Sequence, residues 1–242
     1  MTLTNFQFLN GLLALLTVSL CFFVGLVIII KYFQYKQKEL LFVGITWMAV
    51  YQPWWPGTLA FLLNIFGIID GSIGAANYIL IATMFIPPAS FFWFMGVTEM
   101  LFQGKRNLIV GFYLIITIAM SIFIVTFVII DANLLGEVGV VNSDYGIIMS
   151  IYLMFVNSSI AVSGILMGRA SLKSNIPQIK LKGKFLIMAS VCYFLGGLLD
   201  VGLIESIPWF IFISRTILMA GSVLFFLGFI LPKPIEKLLI NE

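Results

Sequence analysis

Seven apolar runs, each long enough to cross a lipid bilayer, divide the chain almost without remainder. A spanning helix needs about 20 mainly apolar residues, and such runs occupy 6–30, 40–66, 75–102, 107–130, 145–168, 184–204 and 208–232. Between them lie short polar separators: Lys31–Glu39, Gly67–Gly74, Gln103–Arg106, Asp131–Asp144, Arg169–Gly183 and Glu205–Ile207. The expectation is an all-α membrane protein, one seven-transmembrane-helix bundle filling residues 1–242. Met1–Asn5 carries no positive charge and the run behind it is too long for a cleavable signal, so the first span is expected to stay in the protein.

Charge placement orients the bundle. Lys31, Lys36 and Lys38 follow the first span, and Lys105 and Arg106 follow the third. Arg169, Lys173, Lys180, Lys182 and Lys184 follow the fifth, and Lys233 and Lys237 the seventh. That places 12 of the 13 basic residues on one side, while Asp70, Asp131, Glu137, Asp144 and Glu205 mark the other. By the positive-inside rule the N-terminus lies outside and the C-terminus in the cytoplasm, as expected of a multi-pass plasma-membrane protein. A misplaced span would scramble the alternation, so the charges support the count of seven independently of hydropathy.

Composition removes whole classes of function. The chain is 62% hydrophobic and 10% charged, with mean hydropathy +1.14, whereas soluble domains carry about 25% charged residues. Its 13 basic residues make no phosphate-binding face, so nucleic acid is not an expected partner. Histidine is absent, which excludes Ser-His-Asp hydrolysis, histidine-built zinc or haem sites and histidine pH switches. Cys21 and Cys192 sit in apolar runs and make neither a metal cage nor a disulfide framework. No cofactor is expected. An enzyme is not expected either, because catalysis would rest on isolated carboxylates such as Glu99 or Asp200.

Ionisable groups inside a bilayer are costly and therefore informative. The sixth and seventh spans are joined by about three residues and must be antiparallel neighbours. Counted at about 1.5 Å per residue from Ser206, Asp200 lies about 9 Å and Arg215 about 13 Å down their helices. An arginine reaches across that offset, so the two can pair. Such a pair either locks the hairpin or forms the floor of an outward-facing ligand or ion site with Glu205 at its lip. Glu99, near the cytoplasmic end of the third span, either reaches Lys105 and Arg106 or contacts a partner. Gln52 and the Asn157-Ser158-Ser159 triplet lie near the midplane, where uncharged polar groups bond to a neighbouring helix or to a ligand. That depth rules out glycosylation of the Asn157 sequon.

Helix breakers cluster in two spans. The second carries Gln52-Pro53-Trp54-Trp55-Pro56-Gly57, and the third carries Pro87-Pro88 ahead of Phe91, Phe92 and Trp93. Proline removes a backbone hydrogen bond and clashes with the preceding turn. In lipid the freed carbonyls need neighbours or water, so such breaks mark kinks or cavities. Their aromatic content points to an aromatic-lined space between the second and third spans. Gly164-Ile-Leu-Met-Gly168 fits the small-xxx-small contact pattern, which also arises by chance. The Arg169–Lys184 stretch has five positive charges and no acid. It suits anionic lipid, each basic residue near the surface contributing about 1 kcal/mol, or a cytoplasmic protein partner.

Seven helices with the N-terminus outside is the topology of microbial rhodopsins and G-protein-coupled receptors. The likeness ends there: Pro208–Leu231 has no lysine for a retinal Schiff base, and Thr98-Glu99-Met100 is followed by Phe102-Gln-Gly-Lys-Arg rather than the receptor triplet. Gly44-Ile-Thr-Trp47, Pro53-Trp-Trp-Pro56, the basic stretch Ser171–Phe185 and Phe229-Ile-Leu-Pro232 resemble a group of uncharacterised archaeal seven-helix membrane proteins, over nearly the whole chain. That group is similar in layout to membrane sensor modules fused to prokaryotic histidine kinases. The resemblance implies a fold and an archaeal plasma membrane, and it assigns no activity. The expected function is receptor-like or sensor-like: a small or lipidic ligand in an outward cavity, and signalling through basic cytoplasmic loops. A transporter or channel using Asp200, Arg215 and Glu205 is the alternative, and a ligand-free scaffold the third.

Overall fold

The computed structural model describes residues 3–200 and 209–240. Over these the chain is helical apart from one small hairpin. In order come α1 (Asn5–Tyr35), α2 (Lys38–Ala49), α3 (Trp55–Ile65), α4 (Ala75–Thr83), α5 (Ile86–Leu101) and α6 (Arg106–Asp131). Then follow β1 (Gly136–Val138), β2 (Ser143–Tyr145), α7 (Ile147–Leu172), α8 (Pro177–Asp200), α9 (Trp209–Phe229) and α10 (Lys233–Ile240). Thr4 starts α1 with a reciprocal cap, its hydroxyl accepting from the Gln7 N–H and its own N–H donating to the Gln7 side chain. The helix ends where Lys36 turns left-handed, at φ 58°.

Six of the described helical segments are long and apolar enough to cross a membrane: α1, α4 with α5, α6, α7, α8 and α9. The chain is therefore an all-α, multi-pass membrane protein. The expected second span is not one helix. α2 stops at Ala49, residues Gln52–Trp54 make a 3-10 turn, and α3 begins at Trp55. Pro53 and Pro56 have no N–H to give and would clash with the carbonyls four residues back, so the helix cannot run through. The two pieces nonetheless follow α1 along its length. Gly25 lies against Gly44, where an added Cβ would sit 2.8 Å from the Gly44 carbonyl oxygen, and Gly11 lies against Phe61, 14 residues along α1 from Gly25's contact by one count and 17 along the partner by the other. Antiparallel packing thus continues across the break.

A second break falls between α4 and α5, where Pro87 and Pro88 open the first turn of α5. The two breaks brace each other. The Phe85 N–H, left over between the helices, donates to Gln52 Oε1 at 2.7 Å. The Pro87 carbonyl accepts the hydroxyls of Ser90 and Thr117, each at 2.8 Å.

In the bundle α1 touches α2, α3 and α9; α9 packs on α8, α8 on α7, α7 on α5 and α5 on α2, which closes a ring. α6 stands outside it against α4 and α5, with only Tyr113 and Ile124 buried. Glycines bring α7 and α8 close: a Cβ on Gly168 would meet the Gly183 carbonyl oxygen at 2.7 Å, and one on Gly183 would meet the Gly168 carbonyl equally. The small-xxx-small pattern at Gly164 and Gly168 is thus a real contact. At the centre Trp47 stacks on Phe225, centroids 3.5 Å apart, with Tyr51, Tyr193 and Trp93 around them. Aromatic pairs of this kind add about 0.5–1.5 kcal/mol beyond the area they bury.

Three expected loops differ. The Asp131–Asp144 separator holds the β1–β2 hairpin, Gly136 pairing with Tyr145, and the hairpin lies on α3: the Val141 carbonyl would come within 2.6 Å of a Cβ on Gly57. The basic stretch is mostly helix. Arg169 belongs to α7 and Lys180, Lys182 and Lys184 to α8, leaving residues 173–176 as the turn. Pro177 suits the first helical position, where its missing N–H goes unused. α1 likewise runs on through Lys31, leaving Lys36 and Gln37 as the link to α2.

Candidate functional site

Asp200 ends the described part of α8, and Arg215 lies in the second turn of α9. Their side chains pair, Arg215 Nη2 to Asp200 Oδ1 at 3.3 Å. Two further donors hold the carboxylate: Trp54 Nε1–H to Oδ2 at 2.7 Å and the Ser214 hydroxyl to Oδ1 at 3.2 Å. The Arg215 guanidinium also faces the Trp54 ring, 4.9 Å from its centroid. One indole thus donates to the acid and offers its π face to the base. The break after α2 makes this possible, because the 3-10 turn aims Trp54 at Asp200 and Trp55 toward Phe22 and Phe85.

The centre is under-satisfied. Arg215 is only 6% exposed, yet its Nε and Nη1 have no hydrogen-bond partner among the described residues. Asn157 donates through Nδ2 to the Phe194 carbonyl at 3.1 Å, while its Oδ1 has no such partner. Gly197 makes room for it, since a Cβ there would lie 2.7 Å from Asn157 Nδ2. The Tyr145 hydroxyl is buried beside them, next to Ser143.

These groups border two small cavities that share Pro53, Trp54, Tyr145 and Asp200 as walls. One, of about 50 Å³, is also bounded by Asn157 and Tyr193. The other, of about 30 Å³, is bounded by Arg215, Tyr78 and residues Val141–Ser143 of the hairpin. A water needs roughly 10–15 Å³ on this scale, so the first cavity takes roughly three to five waters or one small molecule. Arg215 borders the smaller cavity and Asn157 the larger, Tyr145 borders both, and the ion pair contributes no net charge. The arrangement suits a small neutral molecule that both gives and accepts hydrogen bonds.

The remaining candidates separate. Glu205 lies outside the described residues. Gln52 braces the two breaks and stands apart from the cavities, while Pro53 lines both. Trp55 turns away, its ring 5.1 Å from Phe22 and 6.2 Å from Phe85. With Phe85, Pro88 and Phe92 it lines an apolar groove of about 290 Å³ between α2 and α5. Of the residues expected around an aromatic space, Trp55 and Pro88 border this groove, and Trp54 and Trp93 do not. Trp93 packs in the core, its Nε1–H on Ser163 Oγ at 2.7 Å. Pro56 and Pro87 are buried at the starts of α3 and α5. Glu99 pairs with Arg106 at 3.0 Å.

The sequence names Trp54 as a candidate but not its role, although a buried indole N–H needs an acceptor, and it does not point to Tyr145. Tyr145 sat at the edge of a span, where nothing signals that a hairpin folds it inward. From Trp54 an aromatic series runs through the bundle: Tyr51 at 5.3 Å, then Trp47 at 5.5 Å, Phe225 at 3.5 Å and Phe229 at 4.8 Å between successive centroids. Phe229 borders a cavity of about 610 Å³ at the opposite, basic end, with Gln37, Leu101, Met167, Lys173 and Lys182. No protein-family model, curated protein or solved structure matches the chain.

Proposed function

We propose that this is a receptor-like or sensor-like membrane protein that binds a small neutral polar ligand at the Trp54–Asp200–Arg215 centre. One observation carries the reading: two small cavities that share Trp54, Tyr145 and Asp200 as walls, one bordered by Arg215 and the other by Asn157, where Arg215 Nε and Nη1 and Asn157 Oδ1 have no hydrogen-bond partner among the described residues. An unpartnered buried polar atom costs about 1–3 kcal/mol, and a ligand that satisfies several recovers that energy on binding. The ion pair provides the fixed frame, and the hairpin covers it.

The broken segment α2–α3 counts as the seventh crossing, because it packs along α1 from one end to the other. Seven crossings with the basic ends inside put the N-terminus and the ligand centre outside and the 610 Å³ cavity in the cytoplasm. The aromatic series from Trp54 to Phe229 links a change at Arg215 to that inner cavity. Its closely packed rings also fill the interior between the two ends, which favours a sensor over a channel.

Native mass spectrometry of the protein released from mild detergent tests the reading. The expected result is a stoichiometric non-lipid adduct that disappears in Asn157→Ala. A bare protein, or one carrying heterogeneous lipid alone, overturns it.

A further inference from the structure

At the basic end, α1, α8 and α9 enclose a pocket of about 270 Å³ that is distinct from the ligand centre. Its walls are Lys31, Tyr35, Gln37 and Lys182 on the polar side and Leu40, Phe229 and Ile230 on the apolar side. Lys182 Nζ donates to the Phe229 carbonyl at 3.0 Å, one of the carbonyls that a helix C-terminus leaves open. Lys31 Nζ donates to Gln34 Oε1 at 2.8 Å and lies 5.7 Å from the Tyr35 ring centroid.

Each ammonium has three N–H donors, so each keeps two after these bonds. Glu236 acts on Lys182 through space without forming an ion pair with it, and its carboxylate accepts from Gln178. Among the described residues no ion pair is formed by Lys31 or Lys182. The pocket therefore presents two held ammonium groups, neither in an ion pair among the described residues, above an apolar wall. It also lies where α1 and α9 leave the apolar layer, with Phe33 and Tyr35 exposed beside it, the level at which amphipathic aromatics meet lipid headgroups.

We propose that this pocket is a binding site for an anionic phospholipid. The phosphate lies between Lys31 and Lys182, with Gln37 and the Tyr35 hydroxyl available to further headgroup oxygens, and an acyl chain follows Leu40 and Ile230. Lys182, Gln37, Leu40 and Phe229 also border the 610 Å³ inner cavity, so an occupied headgroup site shares its wall with the cytoplasmic end of the aromatic series. The site does not depend on the ligand reading above.

The experiment is native mass spectrometry of the purified full chain titrated with dioleoylphosphatidylglycerol or dioleoylphosphatidylcholine. Tight binding of one phosphatidylglycerol, and not of phosphatidylcholine, is expected. Lys31→Gln and Lys182→Gln should each weaken it about five-fold, from about 1 kcal/mol per basic residue at a lipid surface. Lys184→Gln removes the same charge from exposed α8 surface outside the pocket, so it should lower diffuse attraction for both the first and later lipids alike and not the preference for one tightly bound phosphatidylglycerol. Equal loss in Lys184→Gln, or equal binding of both lipids, overturns the proposal as diffuse attraction. Competition by millimolar inorganic phosphate overturns the lipid assignment in favour of a free-phosphate site. If Lys182→Gln does not fold, Lys31→Gln carries the test alone.

Discussion

Replacing Arg215 by glutamine removes one half of a buried pair and leaves Asp200 with Trp54 and Ser214 as its donors among the described residues. The side chains are 7% and 17% exposed, so water screens them little. Breaking such a pair from one side costs about 3–5 kcal/mol. In a micelle the unfolded helices also find polar partners, which favours the lower figure, about 3 kcal/mol. Since about 1.4 kcal/mol is a decade, the unfolded fraction should rise about 150-fold. Asp200→Asn should cost a similar amount, because it strands a guanidinium that already has two unpaired nitrogens. The double variant removes both charges and should cost no more than either single, a coupling of about 3 kcal/mol. Unfolding in mixed dodecylmaltoside and dodecyl sulfate micelles, followed by circular dichroism, reads all three. Additivity within about 0.5 kcal/mol would refute the idea that the two charges hold each other in the membrane.

Gln52→Leu should destabilise by about 1–3 kcal/mol, since it strands the Phe85 N–H, and Gln52→Glu should recover part of that by keeping an acceptor; the same unfolding titration measures both. Gly183→Ala should be destabilising by about 1–3 kcal/mol from overpacking against the Gly168 carbonyl, whereas Gly111→Ala, with open space around it, should be neutral or slightly stabilising. Arg215→Ala should lower the yield of membrane-inserted protein more than Lys173→Ala, which alters an exposed turn; equal yields by in-gel fluorescence of fusions would count against a structural role for the pair. Asn5→Cys should react with a membrane-impermeant maleimide on intact cells and Leu239→Cys only after lysis. Labelling of both from the same side would mean an even number of crossings.

Much of the architecture is legible locally. Long apolar runs must become helices because lipid offers no partner for an unpaired backbone group, and the placement of lysine and arginine decides which ends gather together. The pairing of Asp200 with Arg215 was also readable, because two apolar spans in close succession must be antiparallel neighbours. The prolines announced the breaks in the second and third spans.

Which way the side chains turn at those breaks was not readable. Trp54 and Trp55 are adjacent and alike, and only the 3-10 turn sends the first to Asp200 and the second to Phe22 and Phe85. Trp93 carries the same chemistry and ends in the core, held by Ser163 from a helix 70 residues away. The inward fold of Tyr145, the brace between Gln52 and Phe85, and the unpaired nitrogens of Arg215 share this origin. Hydropathy and charge act on each segment against a uniform solvent, so one segment suffices to read them. A hydrogen bond or a cavity needs groups from several helices at fixed distance and angle, and only the packed bundle supplies that.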